Sequence, residues 1–201
     1  MSTSLEAEEN LRVIRSLMEK ATVYRAISAP GALVGGLASL AAAAFGIFGP
    51  QDPSHFLPLW AAVLLLTSIS NVLLLHRDAR RRNEAFVSSG MRVALRAMLP
   101  AIWGGGLSIL VNTGGSQILT VALWILFYGI SLLAASHFAP TSIRWLGTTF
   151  FATASLLIPI GAYTAWHFGT NLIWAHGLMG ATFGAFHIVY AVLTWPGKRT
   201  L

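Results

Sequence analysis

The stretch Asn171–Trp195, NLIWAHGLMGATFGAFHIVYAVLTW, contains no charged residue. At about 1.5 Å per residue, a helix of that length crosses the hydrocarbon core of a bilayer. Trp174 and Trp195 stand near its two ends, where indole rings favour the headgroup region. Steps of three and four return to one helical face, so His176, Gly180, Gly184, His187 and Ala191 are expected close to one side. A glycine face flanked by imidazoles lets another helix or a bound molecule approach closely. His176, Gly180, Gly184 and His187 are therefore the candidate ligand or interface residues.

The rest of the chain agrees with a membrane setting. Of 201 residues, 55% are hydrophobic and 10% charged, with a mean hydropathy of +0.68. Soluble domains average about 25% charged residues. Working back from the sixth run, apolar spans cover about Trp145–Trp166, Ile118–Ser136, Ala97–Asn112, Leu57–His76 and Pro30–Phe48. Before them, Thr3–Ile27 reads as an amphipathic helix, with Thr3 and Glu6 at capping-box spacing and an apolar stripe of Leu11, Ile14, Leu17, Met18 and Ala21. That segment is acidic as well as basic and does not read as a cleavable signal peptide. The expected organisation is an amphipathic cytoplasmic or interfacial helix over 1–28, a six-span transmembrane domain over 29–195 and a short basic tail over 196–201. The fold class is all-α, an integral membrane bundle.

Lys and Arg alternate strictly between the connecting segments. Four precede the first span (Arg12, Arg15, Lys20, Arg25), and six lie between the second and third (Arg77, Arg80, Arg81, Arg82, Arg92, Arg96). Arg144 lies between the fourth and fifth, and Lys198 and Arg199 come after the sixth. The three intervening connections carry none. By the positive-inside rule, both termini are cytoplasmic in a multi-pass protein of the cell's inner membrane. The net charge of +6 then reflects topology rather than nucleic-acid binding. A two-helix hairpin repeat is also suggested: Arg25-Ala26 and Arg96-Ala97 each precede a proline and then Gly-Gly-Leu (Gly35-Gly36-Leu37, Gly105-Gly106-Leu107), and the next span in each case ends at His76 or His137.

The chemistry open to the chain is narrow. There is no cysteine, no HExxH, no P-loop, no dinucleotide fingerprint and no acidic metal cluster. All seven acidic residues fall at or before Glu84, and none lies in a span. Proton- or cation-coupled transport usually needs such carboxylates. Histidine is the titratable group left within the spans. Neutral imidazole suits haem, so His187 with His137 or His76 forms the candidate cofactor set.

Gly114-Gly115-Ser116-Gln117 opens the fourth span, and Ala175-His176 lies in the outer part of the sixth. These resemble the G-x-S-G motif and the Ala-His pair of the rhomboid intramembrane serine proteases. The resemblance implies a nucleophile, Ser116, with His176 as its base. It touches only a few residues. Gln117 stands where that family has glycine, the glycines after His176 are out of register, and Asn71 lies toward the cytoplasmic end of its span.

The expectation is a non-enzymatic membrane protein that binds a small amphipathic ligand, a cofactor or a partner subunit along the His/Gly face of the sixth helix. A homo-oligomer or a partner membrane subunit would complete an interface there, within the lipid bilayer. A b-type haem protein, a small neutral-solute transporter and a rhomboid-like protease are the alternatives.

Overall fold

The computed structural model describes residues 7–14, 27–81, 83, 86–87, 89–111, 117–168 and 172–195. Among these, the secondary structure is helical throughout, and six helices are long and apolar enough to cross a membrane. In chain order they are α1 (Ala29–Phe48), α2 (Phe56–Arg81), α3 (Ser89–Val111), α4 (Gln117–Ala135), α5 (Thr141–Phe168) and α6 (Leu172–Thr194). Residues 7–14 are helical and exposed. Most of the expected amphipathic stripe, with the capping pair Thr3 and Glu6, lies outside the described residues, as does the 196–201 tail.

Local chemistry explains the ends of α1. The Ser28 hydroxyl accepts the Gly31 N–H at 3.1 Å, and Pro30 fills the first turn, where its missing N–H is no loss. At the far end the Gln51 amide donates to the carbonyls of Gly46 and Gly49 at 2.8 and 3.1 Å, satisfying groups that the helix itself leaves open. Asp52 then caps the short turn Pro53–His55 by accepting the Ser54 N–H at 2.9 Å, which holds its carboxyl below the usual range.

Three boundaries differ from the sequence expectation. Helix α2 runs on through Arg77, Arg80 and Arg81 instead of stopping at His76, and α3 begins at Ser89, two turns before Ala97. The basic segment is thus largely the ends of two helices. Arginine at a helix C-terminus is favoured by the dipole, and long side chains let the head stay in water. Helix α5 likewise starts at Thr141 and carries Arg144 in its first turn. Pro30 and Pro100, paired by the suggested repeat, occupy unlike places: the first opens α1, whereas Pro100 lies inside α3.

The helices group in two sets of three. Helix α1 packs between α2 and α6, and α4 packs between α3 and α5; the sets meet where α4 crosses the start of α6. Small residues permit the closest approaches. A Cβ on Gly129 would meet the Phe151 backbone of α5 at 2.7 Å. On the other set, a Cβ on Gly180 would meet Ala43 at 2.6 Å, and one on Gly184 would meet Leu40 at 2.7 Å. The α4–α5 pair supplies the most enclosed side chains, including Val121, Ile125, Leu132 and Phe150. Helices α2 and α3 scarcely touch each other, which leaves a gap on that side of the bundle.

The seam between α1 and α6 makes a direct prediction. Gly180→Ala forces its methyl onto Ala43 and should destabilise the purified protein by about 1–3 kcal/mol. Gly177, in the same helix, has open space where a Cβ would go. Gly177→Ala should be neutral or stabilise by up to about 1 kcal/mol. Thermal unfolding in one detergent compares the two, and equal melting shifts would show that the seam is not tight.

Candidate functional site

Gly180 and Gly184 of α6 face α1, and α1 already fills that side. Gly36 approaches so closely that a Cβ there would lie 2.9 Å from the Gly184 carbonyl and 2.7 Å from the Ile188 side chain. After Gly184 the seam is therefore continued by Ile188, not by His187. The reason is local: residues Gly180–Phe186 wind as a π-helix between two α-helical segments, Leu172–Met179 and His187–Thr194. Wider i→i+5 turns rotate the chain less per residue, so the residues beyond Phe186 are carried off the 3.6-residue face. The expected single face of His176, Gly180, Gly184 and His187 is corrected on this point. Glycine suits such a segment because it has no side chain to crowd a wider turn.

The two histidines consequently enter different surroundings. His176 is buried against Gly46 of α1, and its Nδ1 accepts the Trp60 indole N–H at 3.2 Å. Phe56 covers the ring at 5.0 Å between centroids. The bond to Trp60 leaves the proton on Nε2, because Nδ1 must be the bare acceptor. On the α4 side, His187 is 8% exposed, with Nε2 2.7 Å from the Tyr128 hydroxyl. Phe150 and Phe183 enclose the imidazole at 5.6 and 6.3 Å between centroids. Its Nδ1 is buried without a hydrogen bond among the described residues.

His187 and Tyr128 border a cavity of about 430 Å³ enclosed by α1, α2, α3, α4 and α6. That volume falls in the range of small-molecule sites, roughly 300–1,000 Å³. Most of the wall is apolar: Trp60 and Val63 of α2, Ala101 and Ile109 of α3, Trp124 and Phe127 of α4, Met179 and Phe183 of α6. The polar groups are Ser39, Thr67, Tyr128, Ser131 and His187, and no charged residue lines the space among the described residues. Part of that wall comes from α2 and α3, the two helices that scarcely touch. There Leu64 and Ile102 border the cavity and are 67% and 53% exposed.

The other sequence candidates are dispersed. His76 of α2 stacks edge-on against Phe86 at 5.2 Å, and His137 is exposed in the turn Ser136–Phe138. Tyr128, rather than His76 or His137, is the polar partner of His187. No group of three metal-ligating side chains occurs among the described residues. Ser116 lies outside the described residues, and the hydrogen-bond partner of His176 is Trp60.

Sequence reasoning missed Tyr128, Ser131 and Trp60. Tyr128 and Ser131 carry hydroxyls three residues apart inside a largely apolar span, so they share a face one turn apart, and that spacing is the available signal.

Trp60→Phe removes the donor to His176 and leaves a buried acceptor unpaired, which should cost about 1–3 kcal/mol. The double variant Trp60→Phe/His176→Leu removes both polar partners and should recover most of that loss. Additive losses in denaturation would argue that the hydrogen bond is unimportant.

No protein-family model, no curated protein and no solved structure matches this chain, so its chemistry is read from its own residues.

Proposed function

We propose that this chain is a non-enzymatic, multi-pass integral membrane protein that binds a small amphipathic molecule taken directly from the bilayer. The observation that carries the proposal is the cavity of about 430 Å³, apolar over most of its wall, polar at Tyr128 and His187, and walled in part by α2 and α3, which scarcely touch each other. A border with exposed Leu64 and Ile102 suits a solute that arrives through hydrocarbon rather than through water. Ligand contact is assigned to this cavity side of α6, which retains His187. Gly180 and Gly184, turned to α1, act by letting the helices close on one another.

Gly106 supplies the test, because it borders the cavity and a Cβ there meets nothing within 4 Å. Gly106→Leu adds bulk at the cavity border, and its Cβ strikes nothing. It should lower binding of a lipophilic fluorescent probe by at least about tenfold, a loss of roughly 1.4 kcal/mol, and leave the melting temperature nearly unchanged. Full probe binding in a stable Gly106→Leu protein would sink the proposal.

The same reading sets the protein in the cell's inner membrane with both termini cytoplasmic. Its support is the alternation of Lys and Arg between spans, from the four residues before α1 to Lys198 and Arg199. Reporter fusions after residues 52, 114 and 170 should be active only for a periplasmic reporter, and fusions after 84 and 140 only for a cytoplasmic one. The reverse pattern would invert the topology.

A further inference from the structure

The cavity's lining restricts the head of whatever it binds, and this step rests on the proposed function. We infer that the ligand is an uncharged lipophile with a single oxygen head, a hydroxyl or a carbonyl, held by Tyr128 and Ser131. An anionic or zwitterionic phospholipid is the class the lining excludes.

Three observations converge on this. First, among the described residues no Arg, Lys, Asp or Glu borders the space, and the described arginines sit toward helix ends, as Arg77, Arg80 and Arg81 do in α2. Tyr128 and Ser131 lie about two turns and one turn before the end of α4 (Gln117–Ala135) and His187 inside α6, against a mostly apolar wall, so a charged head would be held there with no counter-ion among the described residues. Such burial is strongly unfavourable, whereas a neutral oxygen needs only a hydrogen bond.

Second, the polar groups have unused capacity. In the Tyr128–His187 bond, either the phenol donates to a bare Nε2 or Nε2–H donates to the phenol oxygen. The first arrangement leaves Tyr128 an acceptor for a ligand O–H, and the second leaves it a donor for a ligand oxygen. A ligand hydroxyl satisfies both, and a carbonyl satisfies the second. The Ser131 hydroxyl, one turn on in α4 and 2% exposed, makes no side-chain hydrogen bond to the described residues and can take either role.

Third, the polar set is small against the apolar wall. The indoles of Trp60 and Trp124 and the ring of Phe127 surround the remaining space, which fits a single hydrocarbon tail or ring system beside one oxygen. Two acyl chains with a phosphate head would need more room and a cation.

The experiment uses the full chain in vesicles of neutral lipid, labelled with four diazirine probes of equal chain length. These are a long-chain alcohol, the matching methyl ketone, the matching carboxylate at pH 8 and a phosphocholine ester. Labelling of α3 and α4 should favour the alcohol or the ketone at least about fivefold over the two charged probes. Whichever neutral arm is labelled identifies the head. Tyr128→Phe/Ser131→Ala, which keeps the volume of the ring, should reduce that labelling about fivefold or more. Should the double variant not fold, Ser131→Ala alone should show a smaller loss in the same arm. Equal labelling by the carboxylate or the phosphocholine probe, or undiminished labelling in the variants, overturns the inference. Gly106→Leu separates the two levels. If it blocks every probe while the Tyr128/Ser131 variants change nothing, the head assignment fails and the cavity stands. If it blocks none, the proposed function itself has failed.

Discussion

The close passage of α1 along α6 is the constraint on which the other placements depend. In hydrocarbon, burying apolar side chains between helices brings no hydrophobic gain, so association rests on dispersion contacts at short range and on hydrogen bonds. Gly36, Gly180 and Gly184 let the two backbones come near enough for those contacts. Once α6 is set against α1, its other sides are committed as well. His176 meets Trp60 of α2, and His187 meets Tyr128 of α4. Each hydrogen bond ties a further helix to the seam at its own level; the Trp60 bond holds α2 within the same three-helix set, and the Tyr128 bond joins that set to the other.

Between those two levels lies the π-helical stretch Gly180–Phe186, and it changes what the sixth helix can do. Uniform α-helical winding would return His187 to the seam with α1, where no room exists beside Gly36. The wider turns bring it instead to the aromatic group formed by Tyr128, Phe150 and Phe183. One helix thus presents small residues to one neighbour and an imidazole to another. Buried polar groups in such a place are costly unless paired, and the 2.7 Å bond to Tyr128 answers that requirement at Nε2.

How far this arrangement was legible in the sequence depends on which physical signal each part leaves. Six helices are expected from long uncharged runs, because a bilayer imposes a length and forbids charge within it. Their ends at Arg81, Ser89 and Thr141 were not legible, since a hydropathy window stops at the first arginine although the helix does not. The face of α6 was misjudged for a different reason: periodicity arguments assume 3.6 residues per turn, and nothing in GATFGAF announces another winding except its glycines. For His187 the sequence offers His137 and His76 as companions, whereas the group it meets is the Tyr128 hydroxyl. Tyr128 escaped notice because its ring reads as apolar while its hydroxyl supplies the hydrogen bond. The cavity itself leaves no mark in the sequence, being a space left where α2 and α3 fail to meet.

Under the proposed function, that parting of α2 from α3 alters what concentration means for a ligand. A molecule that reached the cavity through a side opening would be drawn from a two-dimensional solvent, not from the aqueous phase. Occupancy would then track the mole fraction of the molecule among the lipids, and its partition coefficient would enter any affinity measured against total aqueous concentration. Two homologous solutes with equal attraction for Tyr128 and Ser131 would differ in apparent affinity by their solubility in the membrane alone, about 0.8 kcal/mol for each added methylene. Lengthening the tail would raise the apparent strength of binding without a single new contact to the protein.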